Sequence, residues 1–301
     1  MLWNWESKDW AFLGSGLRRM AHKVSSLNID SHQHFWQYHP RKDDWITHDM
    51  KILQHDFMPA QLQNLLEENN IDGCVAVQAN QSEDETNFLI ELSTKNDFIK
   101  GVVGWLNLRN DTIEERLTYF SEFKKVKGFR HIIQSEAEDN FILRPDFCNG
   151  IRKLQAYNFT YDILIKPHHL KYVLEFVTLF PNQKFVIDHL AKPDVKSHRI
   201  GEWKQDIQKI AAFENVFCKI SGMVTEADWE NWEPENFTPF LDVVLESFGL
   251  NRVMYGSDWP VCLLAASYEQ QLTIVKNYLG SFSETEKQKI MGGNAIHFYN
   301  L

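Results

Sequence analysis

His32 and His34 close a short apolar run, Leu27-Asn28-Ile29-Asp30-Ser31-His32-Gln33-His34. Side chains alternate along a strand with period two, so both imidazoles leave one face and sit together at the strand's end. There they can share one metal ion or grip one polar group of a substrate. His-x-His also arises by chance as ordinary surface or core histidines. This pair gains weight from its company. Asp188-His189 closes a later apolar run, and Gly256-Ser257-Asp258-Trp259-Pro260 closes the last.

Something must bring these residues together. From residue 28 onward, apolar β-branched runs alternate with stretches of helical spacing. Strands are expected at 27–32, 73–79, 101–107, 127–132, 160–165, 184–189, 216–221 and 252–256. Helices are expected at 58–70, 84–96, 111–124, 145–157, 169–180, 202–213, 237–248 and 267–279. A last helix, 283–291, is read as stopping at Gly292-Gly293. Eight β-then-α units in about 270 residues is the count of a parallel (β/α)8 TIM barrel, an α/β fold whose active site lies on the loops after the strands. The rival is a doubly wound sheet, but no Gly-x-Gly-x-x-Gly follows the first strand to support its usual dinucleotide chemistry.

A barrel should gather reactive residues at strand C-termini, and the sequence does so. His32 and His34 end the first strand, Gln78 the second and Trp105 the third. Arg130 and His131 end the fourth, Asp162 lies in the fifth and His189 ends the sixth. Lys219 and Ser221 end the seventh, and Asp258 ends the eighth. Each alone is weak, because strands often end in polar residues; the agreement of all eight is the signal.

The 301 residues are 44% hydrophobic and 24% charged, an ordinary globular composition. A net charge of −10 argues against nucleic acid or an anionic membrane as partner. No apolar run approaches the roughly 20 residues that span a bilayer. Cys74, Cys148, Cys218 and Cys262 lack Cys-x-x-Cys spacing and read as reduced core residues of a cytoplasmic protein. Residues 1–27 stand apart, with Trp3, Trp5, Trp10 and Phe12 ahead of a Gly-Ser-Gly turn and Arg18-Arg19. This order reverses that of a secretory signal. Two readings stay open: an extension packing on the barrel or on a second subunit of a homo-oligomer, or leader sequence from a start codon assigned too early. The barrel domain is 28–301.

Ile29-Asp30-Ser31-His32-Gln33-His34-Phe35-Trp36, Gly128-Phe129-Arg130, Val186-Ile187-Asp188-His189-Leu190-Ala191-Lys192-Pro193, Cys218-Lys219-Ile220-Ser221-Gly222 and Met254-Tyr255-Gly256-Ser257-Asp258-Trp259-Pro260 follow one another in order. Together they resemble the second-type amidohydrolases and, within them, the sugar-lactone lactonase branch. The resemblance implies hydrolysis of a small-molecule sugar lactone, with His32, His34, His189 and Asp258 as catalytic cluster and candidate metal ligands. It also leaves a departure. Zinc amidohydrolases usually offer a further histidine after strand five, where this chain has Asp162 inside the strand. His168 and His169 come too late and read as surface or capping residues. A divalent metal, zinc, is therefore expected to be weakly bound or not required.

Lactone chemistry tolerates that. A lactone is an activated ester, and a general base with hydrogen-bond donors aimed at the developing oxyanion suffices where an amide would lean on a Lewis acid. Asp258 is the expected base. Arg130 is an added donor, or alternatively a structural ion pair in the barrel mouth. Trp36, Gln78, Trp105, Asp162, Lys192, Lys219 and Ser221 are the expected substrate contacts. Aromatic surfaces edged with polar groups suit a sugar ring, and Trp36 and Trp105, close to strand ends, are preferred over Trp45, Trp229 and Trp232, which read as gap fillers. Two other functions are weighed: a zinc-dependent decarboxylase or other hydrolase on the same barrel, and a silent barrel serving as a scaffold.

Overall fold

The computed structural model describes residues 27–301. The two readings of the N-terminal segment concern residues that, Leu27 excepted, lie outside the described ones.

Strands and helices alternate as β1 Ile29–Gln33, α1 Pro59–Asn69, β2 Gly73–Val77, α2 Glu83–Lys95, β3 Ile99–Gly104, α3 Ile113–Ser121, β4 Val126–Ile132 and α4 Pro145–Leu154. They continue as β5 Thr160–Leu164, α5 Leu170–Leu179, β6 Phe185–Ile187, α6 Gly201–Ala211, β7 Val216–Ile220, α7 Thr238–Phe248, β8 Val253–Tyr255 and α8 Tyr268–Tyr278. The sheet runs β1 to β8 in sequence order with every pair parallel. The (β/α)8 barrel is the observed fold, and the doubly wound sheet is set aside. Closure of β8 onto β1 is made just past the strands. Ser257 N–H donates to Asp30 Oδ1 (2.8 Å), Asp258 N–H to His32 O (2.8 Å) and His34 N–H to Trp259 O (2.7 Å). The seam is therefore built from the two motifs that carry the chemistry.

Simple alternation does not describe β1. Ile29 packs in the inner cluster with Val75, Val103 and Met254, while His32, three residues on, also points inward at Lys219. An odd spacing shares one face only where the register slips, and it slips between Asp30 and Gln33. The barrel base is sealed by Phe298 and Tyr299 from the C-terminal helix.

Gly292-Gly293 is not a helix stop. α9 Glu284–Gln288 runs through a π turn, Lys289–Gly293, directly into α10 Asn294–Tyr299. Glycine serves close approach here: a Cβ on Gly292 would lie 1.8 Å from the Leu27 carbonyl oxygen. All four cysteines are free and buried. Among the described residues no helix is long and apolar enough to cross a membrane.

Candidate active site

Strand ends on the C-terminal side of the barrel build the site in two layers. The lower layer is charged and buried. Lys219 on β7 is fully enclosed, its Nζ 2.6 Å from Asp162 Oδ2, 3.0 Å from Asp188 Oδ1 and 3.1 Å from His32 Nδ1. Arg130 on β4 donates through Nη1 to Asp188 Oδ2 (3.0 Å) and to His32 Nε2 (3.2 Å), and through Nη2 to the Gln78 carbonyl. Gln78 returns a bond from Nε2 to the Arg130 carbonyl (3.2 Å), and Tyr299 donates to Asp162 from below (2.7 Å). Burial would raise Asp188, yet Lys219, His32 and Arg130 outweigh it and hold the carboxyl well below the usual carboxylate range. Asp162 goes the other way: burial, opposed by Lys219 and aided by Asp188, pushes it up to about 6.

The upper layer faces a cavity of about 510 Å³, with His34, His189 and Asp258 in its lining. Three imidazole Nε2 atoms converge on Asp258 Oδ1: His34 at 3.4 Å, His32 at 3.8 Å and His189 at 3.8 Å. Burial keeps His32 well below the ordinary histidine value and lowers His189 to about 4. Burial would raise Asp258, but the imidazoles that ring it, His189 first, hold it below the usual carboxylate range.

Tautomers follow from partners. His34 Nδ1 lies 2.7 Å from the Val77 carbonyl, so it carries the proton that donates there. In neutral His34 the lone pair is then on Nε2. His32 Nε2 accepts from Arg130 and also bears a lone pair. These two nitrogens stand 3.2 Å apart, with Asp258 Oδ1 beside them. The His34 Nε2 lone pair and the Asp258 carboxylate face each other with His32 Nε2 beside them, and the spacing is about that of ligand atoms around a tetrahedral zinc. The donor set His32, His34 and Asp258 thus fits a divalent ion. His189 also falls in a second triad with His32 and Asp188, and its Nε2 lies 3.8 Å from Asp258 Oδ1.

The expected donor Arg130 and the expected substrate contacts divide sharply. Arg130 and Lys192 line the cavity, although Arg130's Nη atoms are engaged below and Lys192 Nζ lies 3.3 Å from Glu226. Gln78, Asp162, Lys219 and Ser221 are fully buried beneath it; Ser221 Oγ supports His189 Nδ1 at 2.9 Å. Trp36 is also buried, ring-edge against Trp45 and Phe57, with its Nε1 on the His55 carbonyl. Trp105 turns aside to His131 (3.2 Å). The preference among tryptophans is corrected: Trp45 and Trp229 line the cavity, and Trp36 and Trp105 do not. Proximity to a strand end placed Trp36 and Trp105 near the site in sequence; the direction in which the loop folds back decides the wall, and spacing does not encode it. Trp232 fills a gap as expected, its indole bonded to the Ala265 carbonyl. His169 caps the turn at Lys166 and is buried, and His168 faces Asp139 at 3.4 Å, away from the catalytic cluster. Asp188 was not among the expected site residues. The Asp-His dipeptide at the end of β6 was its signal.

A family model described as amidohydrolase matches residues 29–301. The chain is 37% identical over 289 residues to an L-fucono-1,5-lactonase of Burkholderia multivorans, covering 92% of this chain and 97% of the relative. It is 32% identical over 280 residues to an L-fucono-1,5-lactonase of Burkholderia ambifaria, covering 92% and 96%. A crystal structure of a Burkholderia multivorans amidohydrolase with bound zinc superposes with a TM-score of 0.89 at 38% identity, covering 91% of this chain and 99% of that one. The barrel, its seam motifs and these matches agree, and the chain belongs to the amidohydrolase family.

Proposed function

We propose that this chain is a lactonase that hydrolyses a sugar-derived aldonolactone to the sugar acid. The observation that carries the reading is Asp258, ringed by His32, His34 and His189, in the lining of a cavity that Trp45 and Trp229 also line. Lactone hydrolysis in two relatives covering nearly the whole chain supports it.

Asp258 takes a proton from water as the water attacks the lactone carbonyl. In the tautomer with its proton on Nε2, His189 accepts at Nδ1 from Ser221 Oγ–H at 2.9 Å. That N–H then faces the cavity and donates to the developing oxyanion. Arg130 acts mainly from beneath, holding His32 and Asp188 in place. Held by His32, His34 and Asp258, a divalent ion such as zinc would polarise the carbonyl as a Lewis acid. Arg130 already occupies the His32 Nε2 lone pair, and Lys219 stands on the other side of the same ring. Two fixed cations beside one ligand weaken a dication's hold. Incubation with a strong chelator should therefore lower aldonolactone turnover less than about threefold, against the much larger loss typical when a required catalytic metal leaves. One tightly held zinc per chain by elemental analysis, with activity lost on its removal, overturns this weak-metal reading.

The cavity has two characters that suit a sugar ring. Asn80, Gln81, Gln134 and Ser135 supply polar partners from the β2 and β4 loops, while Met50, Val261 and Leu264 supply an apolar side. Trp45 Nε1 and Gln134 Oε1 are buried without a partner among the described residues, a donor and an acceptor suited to substrate hydroxyls. A dicarboxylate would demand converging guanidiniums. The cationic residues lining the cavity are Arg130 and Lys192, and both already face carboxylates. A pH-indicator assay should show turnover of fucono-, galactono- or rhamnono-lactones and none of aromatic or pyrone dicarboxylates. Robust turnover of a dicarboxylate with no aldonolactone activity would place the chain in another branch of the family.

A further inference from the structure

Four consecutive residues after β6, none of them glycine, have left-handed backbone: His189, Leu190, Ala191 and Lys192, with φ of 54°, 54°, 58° and 53°. Each brings its Cβ against the following carbonyl, so L-residues adopt this form singly and rarely in a run. Lys192 N–H donates to His189 O at 2.7 Å and closes one tight left-handed turn. In such a turn residues three apart stand on one side. His189 and Lys192 both line the cavity, while Leu190 and Ala191 are fully buried. From the same entry point a right-handed turn would carry the chain round the other way and take the two side chains off the cavity.

A run so disfavoured persists only where its surroundings hold it. In front, Ser221 Oγ meets His189 Nδ1 at 2.9 Å, and Gly222, at φ +61°, leaves room that a Cβ would close to 2.5 Å from that nitrogen. Behind, the indole N–H of Trp203 on α6 donates to the Leu190 carbonyl at 2.7 Å. Trp203 is itself buried, its ring 5.4 Å from Phe240 of α7. The bond therefore ties the middle of the turn to the helical shell.

We infer that Trp203 is the latch of this turn, a positioning residue that holds the Leu190 carbonyl and so keeps His189 and Lys192 aimed at the cavity. Trp203 touches no substrate; it acts through the backbone. The activity arm of its test rests on the lactonase reading, and the exchange arm does not.

Trp203→Phe keeps an aromatic ring against Phe240 and deletes the N–H. Its kcat on an aldonolactone is expected to fall about tenfold, with KM within about threefold, as for a misaimed catalytic group. Glycine adopts the left-handed form without the Cβ clash. Adding Ala191→Gly to Trp203→Phe should therefore recover at least about threefold in kcat. Hydrogen exchange at the amides of residues 189–192 should quicken at least about tenfold in the single variant, with β6 and β7 unchanged. A kcat within twofold of wild type, a loss that Ala191→Gly does not recover, or faster exchange spread across α6 and the barrel each overturns the latch. If the wild-type protein turns over no aldonolactone, the lactonase reading falls. Exchange then decides alone: a local increase upholds the latch and an unchanged turn refutes it.

Discussion

Asp258→Asn is expected to lower kcat on an aldonolactone by about a thousandfold or more, with KM little changed. Asparagine matches the shape of aspartate but cannot take a proton from water. The anchors of residue 258 are backbone ones and survive the change: its N–H donates to His32 O at 2.8 Å, and its left-handed φ of 57° is one that asparagine also accepts. Thermal unfolding should therefore stay close to wild type, which separates lost chemistry from lost fold. Asp258 is also one of three groups that fit a divalent ion. The variant and the wild type are accordingly compared before and after chelation. A ratio that stays constant assigns the loss to the base. An activity loss under tenfold removes Asp258 from that role.

Much of this was legible from the chain alone, for physical reasons. Strands of a parallel barrel are buried on both faces and read as apolar runs, so β4, β5 and β7 fall within a residue of their expected ends. His32, His34, His189 and Asp258 were legible because a barrel places strand C-termini around one centre, whatever the loops do. What spacing could not show was depth. Lys219, Asp162 and Gln78 sit at strand ends like Arg130, yet they point into the closed interior and support the site from beneath. The slip in β1 and the left-handed turn after β6 were equally hidden. Both depend on contacts far along the chain, Ser257 with Asp30 and Trp203 with Leu190. Leu190 and Ala191 themselves carry no mark of a positive φ.

The buried layer yields the largest expected effect on stability, at Lys219→Met. Lys219 is the one ammonium placed between Asp162 at 2.6 Å and Asp188 at 3.0 Å, and all three side chains are fully enclosed. Methionine fills a similar volume but leaves the two carboxylates facing each other. Removing one partner of a buried ion pair costs about 3–5 kcal/mol, because the remaining charge is left without compensation. The expected fall in Tm is on the order of 10 °C. Asp162 is already pushed up to about 6, so it is the carboxyl that yields, whereas Asp188 keeps Arg130 at 3.0 Å. This predicts a specific rescue. Lys219→Met combined with Asp162→Asn should regain at least half of the lost stability, since the charge that lacked a partner is gone, while Asp188→Asn in place of Asp162→Asn should not, because it also strands Arg130. Calorimetry of the single and both double variants checks it. A single variant within about 1 kcal/mol of wild type, inside the range of ordinary substitutions, would show that this triad does not hold the floor of the site together.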